Sequence, residues 1–496
     1  LIIFWLGLLL TATACSLVTS GPDVVSATNT ADLQSTVAVQ NAEASSIATA
    51  AQPYRGTVIR GISENTPPSF YIQEVLAPAF EEETGIKIEL KLAPWDEVAN
   101  ATAQDIEAGT ASYDFVYVEQ DFVYTYLEQE FIVNLSQTLA DNPQLALPNF
   151  NLTNFTSFVE EFKDPSSGDL YGVPIEAFVK VYIYRKDLFE DPQIQAAFLE
   201  EFNYPLAPAV TLDQYRDNAA FFTRYGQEHN LELWGTTAQA AIGHPASFYE
   251  FFETIAPGFG LYNWGINPNS YRATVATGGE LNSNLAKRAL VYWLELLNYA
   301  PPESIRSDWN DVATTFAQGR AAQGLVYGEN VAWLATDPNR STVVGNVGVA
   351  LPPTAPGAIE DTLVGKGYLG YYDGAAFGML HTSKHKEATL LWLQYLGLPE
   401  VQPEWAVTSS RVVHLSTFDD PLVKAQDRQL SGYYTLMKKQ GRLFAGAPPF
   451  PFHATIREVI ASYLYQAIAK ELTPAEALDQ AAVAVDAELA RLGYNR

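Results

Sequence analysis

Short polar loops along this chain set carboxylates beside amides or indoles: Glu64 with Asn65, Trp95 with Asp96, and Glu119 near Asp121. Carboxylates and amides exchange hydrogen bonds, and a flat aromatic face covers apolar carbon, so together they suit a polar solute with an apolar side. A facing pair of acids could instead cleave a glycosidic bond, and among 57 acidic residues such a pair stays open. Other catalytic spacings are missing: there is no P-loop and no G-x-S-x-G elbow. G-K-G-Y-L-G at 365–370 matches a dinucleotide pattern, but that pattern needs a helix directly after it, and 372–380 reads as a strand. His381 and His385 stand four apart, yet Ser383 starts a helix between them and no H-E-x-x-H is present, so both read as surface residues. No cofactor or metal is expected.

The elements that carry these loops are legible from periodicity. The β-rich 57–62 precedes a helix-period stretch with Ile72, Val75, Leu76, Ala79 and Phe80 on one face and Gly85 as its stop. Ile86, Ile88, Leu90 and Leu92 then alternate with polar residues. Strand, helix and strand in this order form a βαβ unit and predict a parallel sheet, to which 115–118 adds a third strand. Loops at the carboxyl ends of such strands are where ligands bind, and Glu64, Asn65, Trp95, Glu119 and Asp121 occupy them. Asp121 equally suits the N-cap of a helix over 123–130, Trp95 a structural cap, and Glu64 and Asn65 a turn. Pro78 falls inside the first helix and predicts a kink. Further helices are expected at 187–203, 211–228, 245–255, 284–299, 310–318, 383–397, 421–438, 454–470 and 474–492, with strands at 179–184 and 322–327.

With 29 basic against 57 acidic residues the net charge is −28, and no basic cluster offsets it, which argues against nucleic acid and acidic membrane as partners. One cysteine excludes an intramolecular disulfide and a thiolate metal site. Residues 1–10 are apolar, too few to span a bilayer, and small residues follow before Cys15, as in a secretory signal. The absence of a start Met and of any base before Arg55 suggests a truncated signal. The Ser/Thr/Ala/Val-rich 16–52 has no apolar period and predicts a flexible tether, with folding from Pro53.

Several separated segments, in order, resemble the extracellular solute-binding proteins of ABC importers, in particular family 1, the sugar-binding family that includes maltose-binding protein. They are F-E-E-E-T-G-I-K-I-E-L (80–90), Y-D-F-V-Y-V-E-Q-D (113–121), G-D-L-Y-G-V-P-I-E-A-F-V-K-V-Y-I-Y-R-K-D-L-F (168–189), F-A-Q-G-R-A-A-Q (316–323), S-K-H-K-E-A-T-L-L-W-L-Q-Y-L (383–396) and L-T-P-A-E-A-L-D-Q-A (472–481). The N-terminal run likewise resembles a lipoprotein signal, with Cys15 as the lipidated residue and Ala12 departing from the usual Leu. The resemblance implies an α/β, two-lobed, periplasmic-binding-protein-like fold of type II with ligand in the cleft between the lobes. The division expected is 1–15 signal, 16–52 tether, 53–175 with 352–380 first lobe, and 176–351 with 381–496 second lobe. It implies a monomeric, extracytoplasmic, lipid-anchored receptor that hands a sugar or oligosaccharide to a permease, and not an enzyme. A polyamine-binding protein of the same fold and a secreted carbohydrate-active enzyme are the alternatives.

Carried over residue by residue, the resemblance places Asp121 at an acidic sugar-binding position and Glu176 and Phe178 at the crossing between lobes. Phe178 stands where the family's maltose binder has an acid, which argues against maltose. The second lobe is expected to offer Trp264 among glycines, Trp309, Tyr327, Glu329 and Asn330, with Tyr368 and Tyr371 on the returning segment. Trp293, Trp333 and Trp392 have apolar neighbours and read as core. Apart from Lys180 and Lys366 these loops are acidic and aromatic, which disfavours a phosphate ligand and would suit a polyamine.

Overall fold

The computed structural model describes residues 46–495, except the side chain of Asp96. The signal segment, Cys15 and the tether as far as 45 lie outside the described residues. Residues 46–50 are helical, with Ile47 and Ala51 buried. The tether therefore does not extend to 52 as expected: two apolar residues four apart are too few to show a period, yet enough to dock one turn.

Among the described residues eight strands form one sheet, seven along one path and β7 beside it: β1 Val58–Glu64, β2 Lys87–Ala93, β3 Phe115–Glu119, β4 Gly172–Arg185, β5 Trp234–Thr236, β6 Ala321–Tyr327, β7 Val347–Ala350 and β8 Tyr372–Met379. Their order is β2-β1-β3-β8-β4-β6-β5, with β7 also on β4. β1 runs parallel to β2 and β3, as the βαβ reading requires, and β2 keeps the alternating burial of a strand with one wet face. β4, 14 residues long, changes partners along its length: Gly172–Val179 pairs with β8, and Lys180–Arg185 pairs with β6 and β7.

Each half of the path has its own helices. Phe80, Phe115, Phe377 and Trp392 interlock over the first half, with Phe80 to Trp392 centroids 5.1 Å apart and Phe115 to Phe377 4.9 Å. On the second, Trp264 belongs to one buried cluster with Trp293, Ile460 and Leu478 from the helices Asn284–Leu296, His453–Ile468 and Pro474–Leu492. Helix Lys386–Leu396 packs on β4 and β8, so this part of 381–496 lies with the first half rather than with the second lobe, where sequence placed it. The reason is Trp392, whose indole fills the gap between Phe80 and Phe115.

Pro78 has a simple accommodation. A π-turn over Ile72–Leu76 widens the helix, the Ala77 N–H reaches back to the Ile72 carbonyl, and Pro78 opens the next segment, where its missing N–H falls at an already interrupted ladder. Pro257 follows the π-turn Phe251–Ile255 in the same way.

Candidate functional site

The carboxyl ends of β1, β3 and β6, the middle of β4 and the start of β8 converge on one cavity of about 410 Å³. Glu64 ends β1 and Glu119 ends β3, while Trp95 starts the helix Trp95–Ala108 that follows β2. In β4 the register with β8 slips between Pro174 and Glu176, a bulge that leaves Ile175 unpaired beside the cavity that Glu176 lines. Gly374 lies opposite: its φ is +140° and a Cβ there would sit 2.2 Å from the Glu176 carbonyl oxygen, so only glycine permits this approach.

One end of the cavity is built around Arg411. Its guanidinium pairs with Glu176, stands 3.6 Å from Glu329 and lies over the Phe178 ring at 4.7 Å. Thr66 donates to Glu176 Oε2 at 3.1 Å, and the Tyr117 hydroxyl lies 2.6 Å from Glu176 Oε1 and 3.1 Å from Glu64. Burial, with Glu176 adding repulsion, pushes Glu64 up to about 7; burial, eased by Arg411, brings Glu329 to about 6.

The other end is acidic. Trp95 Nε1 donates to Glu119 Oε2 at 2.8 Å, Gln120 Nε2 donates to Asp373 Oδ1 at 2.9 Å, and the Tyr327 hydroxyl donates to Glu253 Oε2 at 2.9 Å. Burial and the neighbouring acids raise Glu119 and Glu253 well above the carboxylate range and bring Asp373 to about 7. Asp121 differs: burial works to raise it, but His453 at 3.1 Å, the Tyr249 hydroxyl that donates to it, and Arg457 outweigh that and hold it low. Aromatic faces complete the wall, with Trp309, Tyr249 and Trp333, whose Nε1 donates to Asn330 at 2.8 Å.

Of the residues singled out by sequence, Glu64, Asn65, Trp95, Glu119, Asp121, Glu176, Phe178, Tyr327, Glu329 and Asn330 line this cavity, as does Trp309. Trp264 and Tyr368 do not. Trp264 is 1% exposed, its N–H donates to the Tyr371 hydroxyl at 2.5 Å, and Phe248 and His453 pack on its faces. The glycines around it reflect close packing rather than exposure, since a Cβ on Gly265 would lie 2.5 Å from Leu281. Tyr368 accepts the Asn263 N–H at 2.8 Å behind the wall, and Tyr371 is equally buried. Trp333, expected in the core, reaches the cavity. Lys180 is buried against Glu250 at 3.0 Å, and Lys366 is exposed.

Sequence reasoning missed Arg411, Tyr249, Glu253 and Asp373. Two acids, Glu250 and Glu253, inside the aromatic helix F-Y-E-F-F-E were a usable signal, because a charge in such a face needs a partner. Nothing local marks Arg411. The G-K-G-Y-L-G motif runs into β8 and not into a helix, and among the described residues no group of three or more His, Cys, Asp or Glu is arranged to hold a metal ion.

The profile of the family described as bacterial extracellular solute-binding protein matches residues 64–403, more than half of the chain. The chain belongs to this family. Among relatives of this solute-binding protein, a probable amino-acid ABC transporter periplasmic-binding protein of Sinorhizobium fredii is 22% identical over 450 residues, covering 89% of this chain and 91% of the relative. Solved structures share the two-lobed fold. A solute-binding protein from Agrobacterium radiobacter in complex with ribitol superposes with TM-score 0.69 at 21% identity, over 86% of this chain and 98% of its own. Maltose-bound MalE3 of T. maritima gives 0.69 at 18% identity, over 88% and 100%. The solute-binding protein thus shares the two-lobed α/β fold of these structures. Among its described residues no helix is long and apolar enough to cross a membrane.

Proposed function

We propose that the cleft binds a polyhydroxylated solute, a sugar, short oligosaccharide or polyol, and that the protein presents it to the permease of an ABC importer. The observation that carries this reading is the mixture in the cavity lining of hydrogen-bonding groups, Glu64, Asn65, Asn310 and Asn330, with the indoles of Trp95, Trp309 and Trp333. Hydroxyls need the first and the apolar ring face needs the second. The ribitol and maltose complexes of the structural neighbours are in keeping with it. In the same reading Cys15 carries a lipid anchor outside the cytoplasm, the protein acts as a monomer, and residues from both lobes close on the ligand, favouring the closed state by their differential contacts.

Intrinsic fluorescence tests the proposal, because three tryptophans line the cavity. Titration with mono- and disaccharides and polyols is expected to give a saturable change without product. Trp309→Ala is expected to weaken that binding about tenfold, the loss of one stacked ring. Silence across all these solutes would overturn the reading, and steady hydrolysis of an oligosaccharide would replace it with a glycosidase.

A further inference from the structure

The acidic end of the cavity has an unusual hydrogen-bond pattern. Glu119, Glu253 and Asp373 each use a single oxygen: Glu119 Oε2 takes the Trp95 N–H, Glu253 Oε2 takes the Tyr327 hydroxyl, and Asp373 Oδ1 takes both the Gln120 amide and the Gly374 N–H. Among the described residues no donor reaches the second oxygen of any of the three. Glu253 is 2% exposed and still lines the cavity, so its second oxygen is open to the cavity rather than sealed inside the protein.

Protein cations do not answer this need. Arg411 serves Glu176 and Glu329. His453 and Arg457 serve Asp121, directly and through Tyr249. Lys180 is spent on Glu250 at 3.0 Å and stands 3.9 Å from the oxygen of Glu253 that Tyr327 already occupies. Asp373 is close enough to repel both Glu119 and Glu253. Of the acids on the cavity, Glu176 is therefore paired with Arg411 and Asp121 with His453, while Glu119 and Asp373 have no cation in contact and Glu253 has only Lys180 at 3.9 Å.

We infer that the solute carries a protonated amine, which seats at Glu119, Glu253 and Asp373 while its hydroxylated body spans the cavity towards Arg411. An ammonium group brings three N–H donors to share among these free oxygens, and a positive charge, where a hydroxyl brings one donor and none. The inference rests on the hydroxylated-solute reading and narrows it to the amino-sugar and amino-polyol class. The raised acids agree with it: with Asp373 near 7 the empty cluster holds protons that a cation would displace. Amine binding then releases protons and tightens as pH rises from about 6 to 8, provided the amine stays charged.

Matched pairs differing only in amine for hydroxyl test it: 1-amino-1-deoxy-D-sorbitol against sorbitol, and D-glucosamine against D-glucose, titrated calorimetrically at pH 7. The amine is expected to bind about ten- to a hundredfold tighter than its partner, with proton release seen as a buffer-dependent heat. That ratio should fall towards one in Asp373→Asn and in Glu253→Gln, two variants so that one misfolded protein does not decide the matter. Equal or tighter binding of the neutral partner in the pairs that bind would overturn the amine and leave the proposed function standing, as would a ratio unchanged in both variants. If no member of either pair binds, while spermidine does, the hydroxylated-solute reading fails and the inference with it.

Discussion

Arg411→Met is expected to lower the unfolding free energy by about 3–5 kcal/mol, the cost of leaving a buried carboxylate without its partner. Glu176 is 1% exposed and the Arg411 side chain 11%, so water cannot replace the lost charge. Burial works against the guanidinium, but Glu176 and Glu329 more than compensate and hold it firmly protonated. The pair also ties distant parts of the chain, 235 residues apart, to the crossing strand β4. Urea unfolding followed by circular dichroism measures the effect. The double variant Arg411→Met/Glu176→Gln should recover much of the loss, because the stranded charge is then gone. A single variant within 1 kcal/mol of the parent, or a double variant worse than the single, would contradict this account of the site.

Trp264→Ala is expected to cost about 3–5 kcal/mol as well, through a cavity rather than a charge. The indole lies 5.0 Å from Phe248, 5.7 Å from Phe450 and 4.4 Å from His453, centroid to centroid, and its removal also strips a donor from the Tyr371 hydroxyl. Trp264→Phe should cost less because most of the volume stays. Affinity follows indirectly: His453, against Trp264, touches Asp121 on the cavity wall. A ligand platform would show the reverse, with affinity lost and stability kept. Parallel unfolding and titration of the variant separates the two.

Much of the architecture could be read in advance, because it rests on local patterns. Alternation in β2 and the helical face of Ile72, Leu76 and Phe80 predicted a parallel βαβ start, and that start delivered Glu64, Trp95 and Glu119 to the cavity. β5 and β7 escaped notice: at 3 and 4 residues they are too short to show a period and form only against β6 and β4. The site was legible where it follows strand ends and illegible where it depends on contacts across the chain. Tyr249 meets Asp121 over 128 residues, and no spacing in either segment announces it. Trp264 and Trp333 exchanged expected places. Glycines beside Trp264 permit both an open loop and a tight one, and only the partner surface decides between them.

The partner change within β4 makes that strand a ruler. Beyond the bulge at Ile175, Glu176 to Ile183 are buried throughout, so the parity of side chains on one half of the sheet is locked to that on the other by the count from Glu176 onward. One residue inserted between Val179 and Lys180 would send every side chain beyond it to the opposite face. Lys180 would turn from Glu250, and Tyr182 from Gln323, to which its hydroxyl donates at 2.7 Å. Surface loops of this protein can lengthen at little cost. The crossing strand cannot, and any engineered sensor that grafts a domain onto one lobe must preserve its length to the residue.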